Sequence, residues 1–202
     1  MNIEKGNFIW RNKLGPLNLD KVDSIALHHI AHSTWDEMDV HKYHYRTNKW
    51  NGIGYNYFIR FDGKIIECRG LHQGAGVGGH NSHIISIGFQ GDFDKQKEMS
   101  KEQFEAGVWL INYLKSTIPT IKTVAGHKAW TKTACPGKYF PLQKMIDSKP
   151  PETLNWKLVA LHELHQEGLI QDLEGWTAKI DDPLPVWSGF IIMNNIYKKL
   201  KG

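Results

Sequence analysis

Residues 53–69 read I-G-Y-N-Y-F-I-R-F-D-G-K-I-I-E-C-R. Ile53, Tyr55, Tyr57, Ile59 and Phe61 fall at every second position, the period that places them on one face of a β-strand. Asp62-Gly63 is a two-residue hairpin signal, since both residues tolerate the positive φ of a tight turn. Residues 64–69 are then the return strand. Upstream, residues 24–30 (S-I-A-L-H-H-I) form a short apolar run suited to a buried strand. Residues 36–50 between them are polar with spaced aromatics, a helix pattern. Downstream, residues 70–82 are a glycine-rich loop, and residues 86–91 read as a central strand. Ser100 with Gln103 three positions later marks a helix start. Phe104, Val108, Ile111 and Leu114 continue it as an apolar stripe that Pro119 closes. Residues 121–125 suggest one more strand and residues 141–147 a short helix.

Strands alternating with helices, plus one hairpin, predict an α/β fold: a mixed central β-sheet flanked by helices. Ser148-Lys149-Pro150-Pro151 is linker chemistry, because paired prolines cannot continue a helix. It separates a domain of residues 1–148 from a small C-terminal helical unit, residues 152–202. In that unit residues 155–167 are helical by pattern, with Gly168 as C-cap and Trp156, Val159 and Leu164 as a core face. Pro183 and Pro185 interrupt the chain, and residues 186–200 read as a second helix.

The chain has 202 residues, enough for one full domain and an appendage but not for two large domains. Its formal charge is +4, with no run of five Lys or Arg, so nucleic-acid binding is not expected. Cys68 and Cys135 are too few for a disulfide scaffold. The first ten residues lack the charged start and apolar run of a signal peptide, and no stretch approaches the length of a membrane span. The expectation is synthesis in the cytoplasm, no membrane insertion, and action outside only after release by another agent.

Eleven histidines are many for this length, so position must select among them. His28 and His29 sit on a predicted strand and point to opposite faces, so at most one can join a given metal site. His127 and Cys135 lie in the turn-rich segment G-H-K-A-W-T-K-T-A-C-P-G, residues 126–137. Imidazole nitrogen and thiolate sulfur are both good zinc ligands. Two His and one Cys would leave zinc's fourth tetrahedral position open, the pattern of a catalytic site rather than a structural one.

The segments L-H-H-I-A-H-S (27–33), I-G-Y-N-Y-F-I-R-F-D-G (53–63) and G-H-K-A-W-T-K-T-A-C-P-G, in this order, resemble the type 2 N-acetylmuramoyl-L-alanine amidases. Peptidoglycan recognition proteins share that fold. The resemblance spans roughly residues 20–147. It implies zinc as cofactor, held by His28, His127 and Cys135. It places Tyr55 beside the metal. Two positions before the Cys ligand, where members carry Lys or Thr, this chain has Thr133, a second catalytic candidate. Family members have a substrate-contacting Asn shortly before the S-I-G strand, and Asn81 is the nearest match. Trp130, between two ligands, either walls the groove or packs in the core.

The other histidines have plainer readings. His41 and His44 are assigned to packing or the surface, and His29 and His32 to local hydrogen bonds. Cys68 reads as a buried apolar residue, and Trp35 and Trp50 as core. The implied function is zinc-dependent hydrolysis of the bond between N-acetylmuramic acid and L-alanine, by a phage-type endolysin or an autolysin. The absence of an evident carboxylate pair weighs against a sugar-cleaving muramidase. The alternative is a non-catalytic peptidoglycan-recognition module, in which loss of zinc typically shows as a replaced Cys ligand. Bacterial peptidoglycan is the expected partner either way. The C-terminal unit is expected to bind the wall or to mediate self-association.

Overall fold

In the computed structural model the residues described are 1–149, 161, 164, 165, 167–178 and 186–201. They form two units, residues 2–150 and residues 151–202 with Met1, each treated by itself. In the first unit six strands make one mixed sheet: β1 (Ile3–Lys5), β2 (Ser24–His29), β3 (Tyr57–Ile59), β4 (Ile65–Glu67), β5 (Ile84–Phe89) and β6 (Thr123–Gly126). Their order is β1-β4-β3-β5-β2-β6, and only β3–β4 is antiparallel. The helices of this unit are α1 (Glu37–Lys42), α2 (Lys101–Thr117) and α3 (Leu142–Asp147).

The register places Phe58 opposite Gly88, and Gly88 opposite His28. Side chains alternate, so Phe58, Ser86, Gly88, Ala26 and His28 share one face. That face meets Val40 of α1, with Ile53, Ile66 and Cys68 in the same cluster. Ile59, Phe89 and His29 lie on the opposite face, where Phe89 reaches Gly107 of α2 and packs edge-on against Phe140, 5.0 Å between ring centroids. Coverage on both faces explains why every residue of β2, β3 and β5 is buried, although the sequence alternation of residues 53–61 suggests a single buried face.

The turn after β3 is one residue longer than Asp62-Gly63 alone implies. Gly63 N–H donates to the Arg60 carbonyl and Arg60 N–H to the Lys64 carbonyl, with Gly63 at φ 80°. This is a three-residue loop whose glycine takes the left-handed position. The predicted helix over residues 36–50 also ends early. Asp36 caps α1 by accepting the N–H groups of Met38 and Asp39, and a single wider turn spans Tyr43–Thr47. Two ring nitrogens pull the chain out of helical register. Nδ1 of His41 accepts the Ile53 N–H at 3.1 Å, and Nδ1 of His44 accepts the Gly54 N–H at 3.1 Å.

Ser100 caps α2 as read from the sequence, its hydroxyl accepting the Gln103 N–H at 3.2 Å. Gln103 does not return the bond. Its amide instead donates to the carbonyls of Ile59 and Gln90, tying α2 to the sheet. In the second unit α4 (Leu173–Ala178) and α5 (Val186–Lys201) are helical, and Gly168 ends a helical turn at φ 67°. The linker prolines Pro150 and Pro151, residues 152–160 with Trp156 and Val159, and Pro183 and Pro185 lie outside the described residues. Among the described residues no helix is long and apolar enough to cross a membrane.

Candidate metal centre

Strands β2, β5 and β6 are parallel neighbours, so their C-terminal ends open at the same edge of the sheet. Crevices of this kind are where open α/β sheets hold ligands. His28 is the penultimate residue of β2, His127 comes directly after β6, and the loop after His127 returns Cys135 to the same point. One ligating atom from each of the three lies within 4.8 Å of the others. Nδ1 of His28 is 3.7 Å from Cys135 Sγ, and the rings of His28 and His127 are 4.5 Å apart.

These donors suit a zinc ion. Burial, aided by neighbouring His127 and His29, holds His28 well below the ordinary imidazole range, and burial also lowers His127. Both rings are therefore neutral and offer lone pairs. In the absence of a cation, burial pushes the Cys135 thiol up to about 12. A bound divalent ion reverses that cost, since a coordinating thiol loses its proton.

A cavity of about 410 Å³ opens over the three residues. Tyr55 lines it, with its ring centroid 5.1 Å from that of His28. Burial, with Cys135 beside it, raises the Tyr55 phenol above its ordinary value, so the hydroxyl keeps its proton and can donate. Thr133 also lines the cavity, and its Oγ1 accepts the Cys135 N–H at 3.2 Å, leaving the hydroxyl proton free. Gly88 makes room for Tyr55: a Cβ there would sit 2.5 Å from Cδ2 of the ring. Gly88→Ala is expected to cost about 1–3 kcal/mol through overpacking, visible as a lower melting temperature.

Neither Trp130 nor Asn81 lines this cavity. Trp130 packs on Ala26, Val77 and Ile84, and Asn81 turns its Oδ1 back to the Val77 N–H at 2.9 Å, bracing its own loop. The aromatic wall is Trp50 instead, which is 39% exposed and tilts against His44 at 4.6 Å. Its assignment to the core is thereby corrected. The wider turn after α1 swings both residues to the rim.

His44 also lines the cavity, with Nδ1 occupied by Gly54 and its proton therefore on Nε2. Burial, then the charges of Arg69 and His41, lower it to about 4. Below pH 6.5 the unfolded chain takes up this proton and the folded one does not, so stability present above pH 6.5 falls as pH drops toward 4. The loss is at most about 3 kcal/mol from this residue. Melting curves of the wild type and His44→Gln over that range should show the shallower slope in the variant.

Asp94 is the residue that sequence reading misses most plainly. It is the single carboxylate among the cavity's lining residues, held by the Lys138 N–H on Oδ1. A signal exists in the topology: the loop leaving β5 must lie beside the segments leaving β2 and β6. Asp94 also belongs to a second cluster with His29 and Asp92, whose potential ligating atoms lie within 4.8 Å of one another. That cluster is partly engaged by other partners. Nδ1 of His29 accepts the Phe93 N–H, which puts its proton on Nε2 facing Asp94, and Asp92 binds Lys95 and the Asp94 N–H.

A sequence profile described as N-acetylmuramoyl-L-alanine amidase matches residues 18–138. Peptidoglycan-recognition protein 2 of Holotrichia diomphalia is 36% identical over 92 residues, 41% of this chain and 49% of that protein. The chain spans about half the length of the curated relatives it matches. Among solved structures, the endolysin N-acetylmuramoyl-L-alanine amidase LysCS of Clostridium intestinale superposes with a TM-score of 0.65 at 25% identity, covering 71% of this chain and 92% of its own. The ectodomain complex of recognition proteins LCa and LCx with bound tracheal cytotoxin gives 0.63 at 26% identity, covering 74% and 97%.

Proposed function

The chain belongs to the N-acetylmuramoyl-L-alanine amidase family, and from that premise we propose that it hydrolyses the amide between N-acetylmuramic acid and L-alanine in bacterial peptidoglycan, using zinc held by His28, His127 and Cys135. The observation that carries this reading is the convergence of two neutral imidazoles and a thiol, within 4.8 Å, at the floor of an open cavity.

Zinc in such a three-ligand set supplies a Lewis acid that polarises a carbonyl and acidifies water. The side chains around it supply the rest. Tyr55 keeps its phenolic proton and donates it as a hydrogen bond to the carbonyl oxygen on which charge develops. Thr133, which also lines the cavity, adds a second donor. His44 presents Nε2–H and Trp50 a ring face to the substrate. Because Tyr55 cannot act as a base, the Asp94 carboxylate takes the proton released from water and passes it to the departing alanine nitrogen. Asp94→Asn is expected to lower kcat by about 100-fold or more, the range of general acid–base contributions, with bound zinc unchanged. A rate within threefold of wild type would remove Asp94 from this assignment.

The similarity to a clostridial endolysin amidase supports an endolysin or autolysin setting; we propose in addition that the cell wall is reached after release from the cytoplasm. The recognition-protein relatives favour a second reading, a module that holds peptidoglycan without cutting it. The complete His28, His127, Cys135 and Tyr55 set favours catalysis. We assign wall binding or self-association to the C-terminal unit, supported by the exposed Ile191, Met193 and Leu200 of α5. Digestion of purified peptidoglycan, read by mass spectrometry, tests the function: free N-terminal alanine on released stem peptides supports it, and bound but uncut wall supports the recognition module.

A further inference from the structure

The metal reading uses one nitrogen of His28 and leaves the other unexplained. Nε2 of His28 is buried without a hydrogen-bond partner, and so is Oγ of Ser86 on β5. The two residues are 2% and 1% exposed. Ser86 pairs with Ala26 and Gly88 with His28, so Ser86 and His28 are diagonal neighbours on one face of the sheet. Both also border Gly76. A Cβ on Gly76 would lie 2.5 Å from Ser86 Oγ and 3.3 Å from His28 Nε2. The missing side chain thus leaves space bordered by both a hydroxyl and a ring nitrogen, at the edge of the cavity that Gly76 lines.

We propose that Ser86 is a positioning residue for the metal centre, with its Oγ accepting the Nε2–H of His28. The bond closes by a small rotation of the hydroxyl or through one water in the Gly76 gap. A neutral imidazole has a single ring proton, and fixing it on Nε2 leaves the lone pair on Nδ1. That is the nitrogen facing Cys135 Sγ at 3.7 Å. Ser86 therefore sets the tautomer and ring orientation that present Nδ1 to the cation. Gly76 is required because any side chain there would fill the gap. The inference rests on the metal-dependent reading above.

The test is Ser86→Ala in the full chain, with three readouts. Zinc affinity, measured by competition with a chromophoric chelator, should fall about 10- to 100-fold, the usual effect of removing a group that orients a ligand. The melting temperature of the zinc-free protein should fall by no more than a few degrees, because a single hydrogen bond is lost. In the zinc-free wild type, nitrogen NMR should find the His28 proton on Nε2, and in Ser86→Ala a mixture of tautomers. Wild-type zinc affinity in Ser86→Ala would overturn the proposal. So would the same distribution of the His28 proton in wild type and Ser86→Ala, since the hydroxyl then sets no tautomer and is merely structural. Wild-type protein that takes up no zinc would fail differently, sinking the metal reading itself.

Discussion

Cys135→Ala is expected to abolish stoichiometric zinc binding and to slow release of stem peptides by roughly a thousandfold or more, since losing several kcal/mol of Lewis-acid stabilisation costs a factor of ten for each ~1.4 kcal/mol. The fold should survive. The Cys135 thiol makes only long contacts, 3.7 Å to His28 Nδ1 and 3.9 Å to the His29 carbonyl, while the backbone of Cys135 is held by Thr133. Alanine keeps that backbone bond and removes one sulfur. The zinc-free variant should therefore melt within a few degrees of zinc-free wild type, and circular dichroism should not distinguish them. Undiminished lysis of cell walls by Cys135→Ala would contradict the mechanism. Loss of activity accompanied by unfolding would mean that the thiol is part of the core.

Asn56→Leu is expected to give the largest loss of stability of any single substitution considered for this fold. Asn56 is fully buried and uses its amide completely. Its Nδ2 donates to the carbonyls of Gly70 at 2.7 Å and His72 at 2.8 Å, and its Oδ1 accepts the Ser86 N–H at 2.9 Å. It thus ties the glycine-rich loop to β5. Leucine has a similar volume but leaves three backbone groups without their partners. At about 1–3 kcal/mol for each of the three orphaned groups, the cost is roughly 3–9 kcal/mol. Typical domains have only about 5–15 kcal/mol in total. For a chain of this size the expected result is a melting temperature lower by about 10–20 °C, or failure to accumulate as soluble protein. A melt within 3 °C of wild type would show that water or neighbouring side chains replace these bonds.

The sheet is largely legible from residue patterns because its strands are short apolar runs bounded by turn residues. β2, β5 and the β3–β4 hairpin can all be placed that way. β1 cannot, since Ile3–Lys5 has one half-buried residue and two exposed ones and carries no pattern. The three cysteine and histidine donors are legible through motif order, and the structure brings them to one point. The cavity walls are not legible. Asp94, His44 and Trp50 reach the cavity only because three loops close over parallel strand ends, and loop closure leaves no periodic trace in sequence. Trp130 lies between two ligands along the chain, yet it faces Ala26 and Val77, because the short helical turn after β6 rotates it away from the ligands. Asn56 shows the same limit in another form. Its neighbours Tyr55 and Tyr57 announce a strand, but nothing local reveals that one amide must satisfy two separate loop carbonyls.

The most direct measurement is zinc content of the purified protein, paired with the release of new amino ends from purified peptidoglycan in the presence and absence of a chelator. The account predicts about one zinc per chain and N-terminal alanine release that stops with the chelator and returns when zinc is restored. Release that proceeds unchanged in metal-free protein would contradict it.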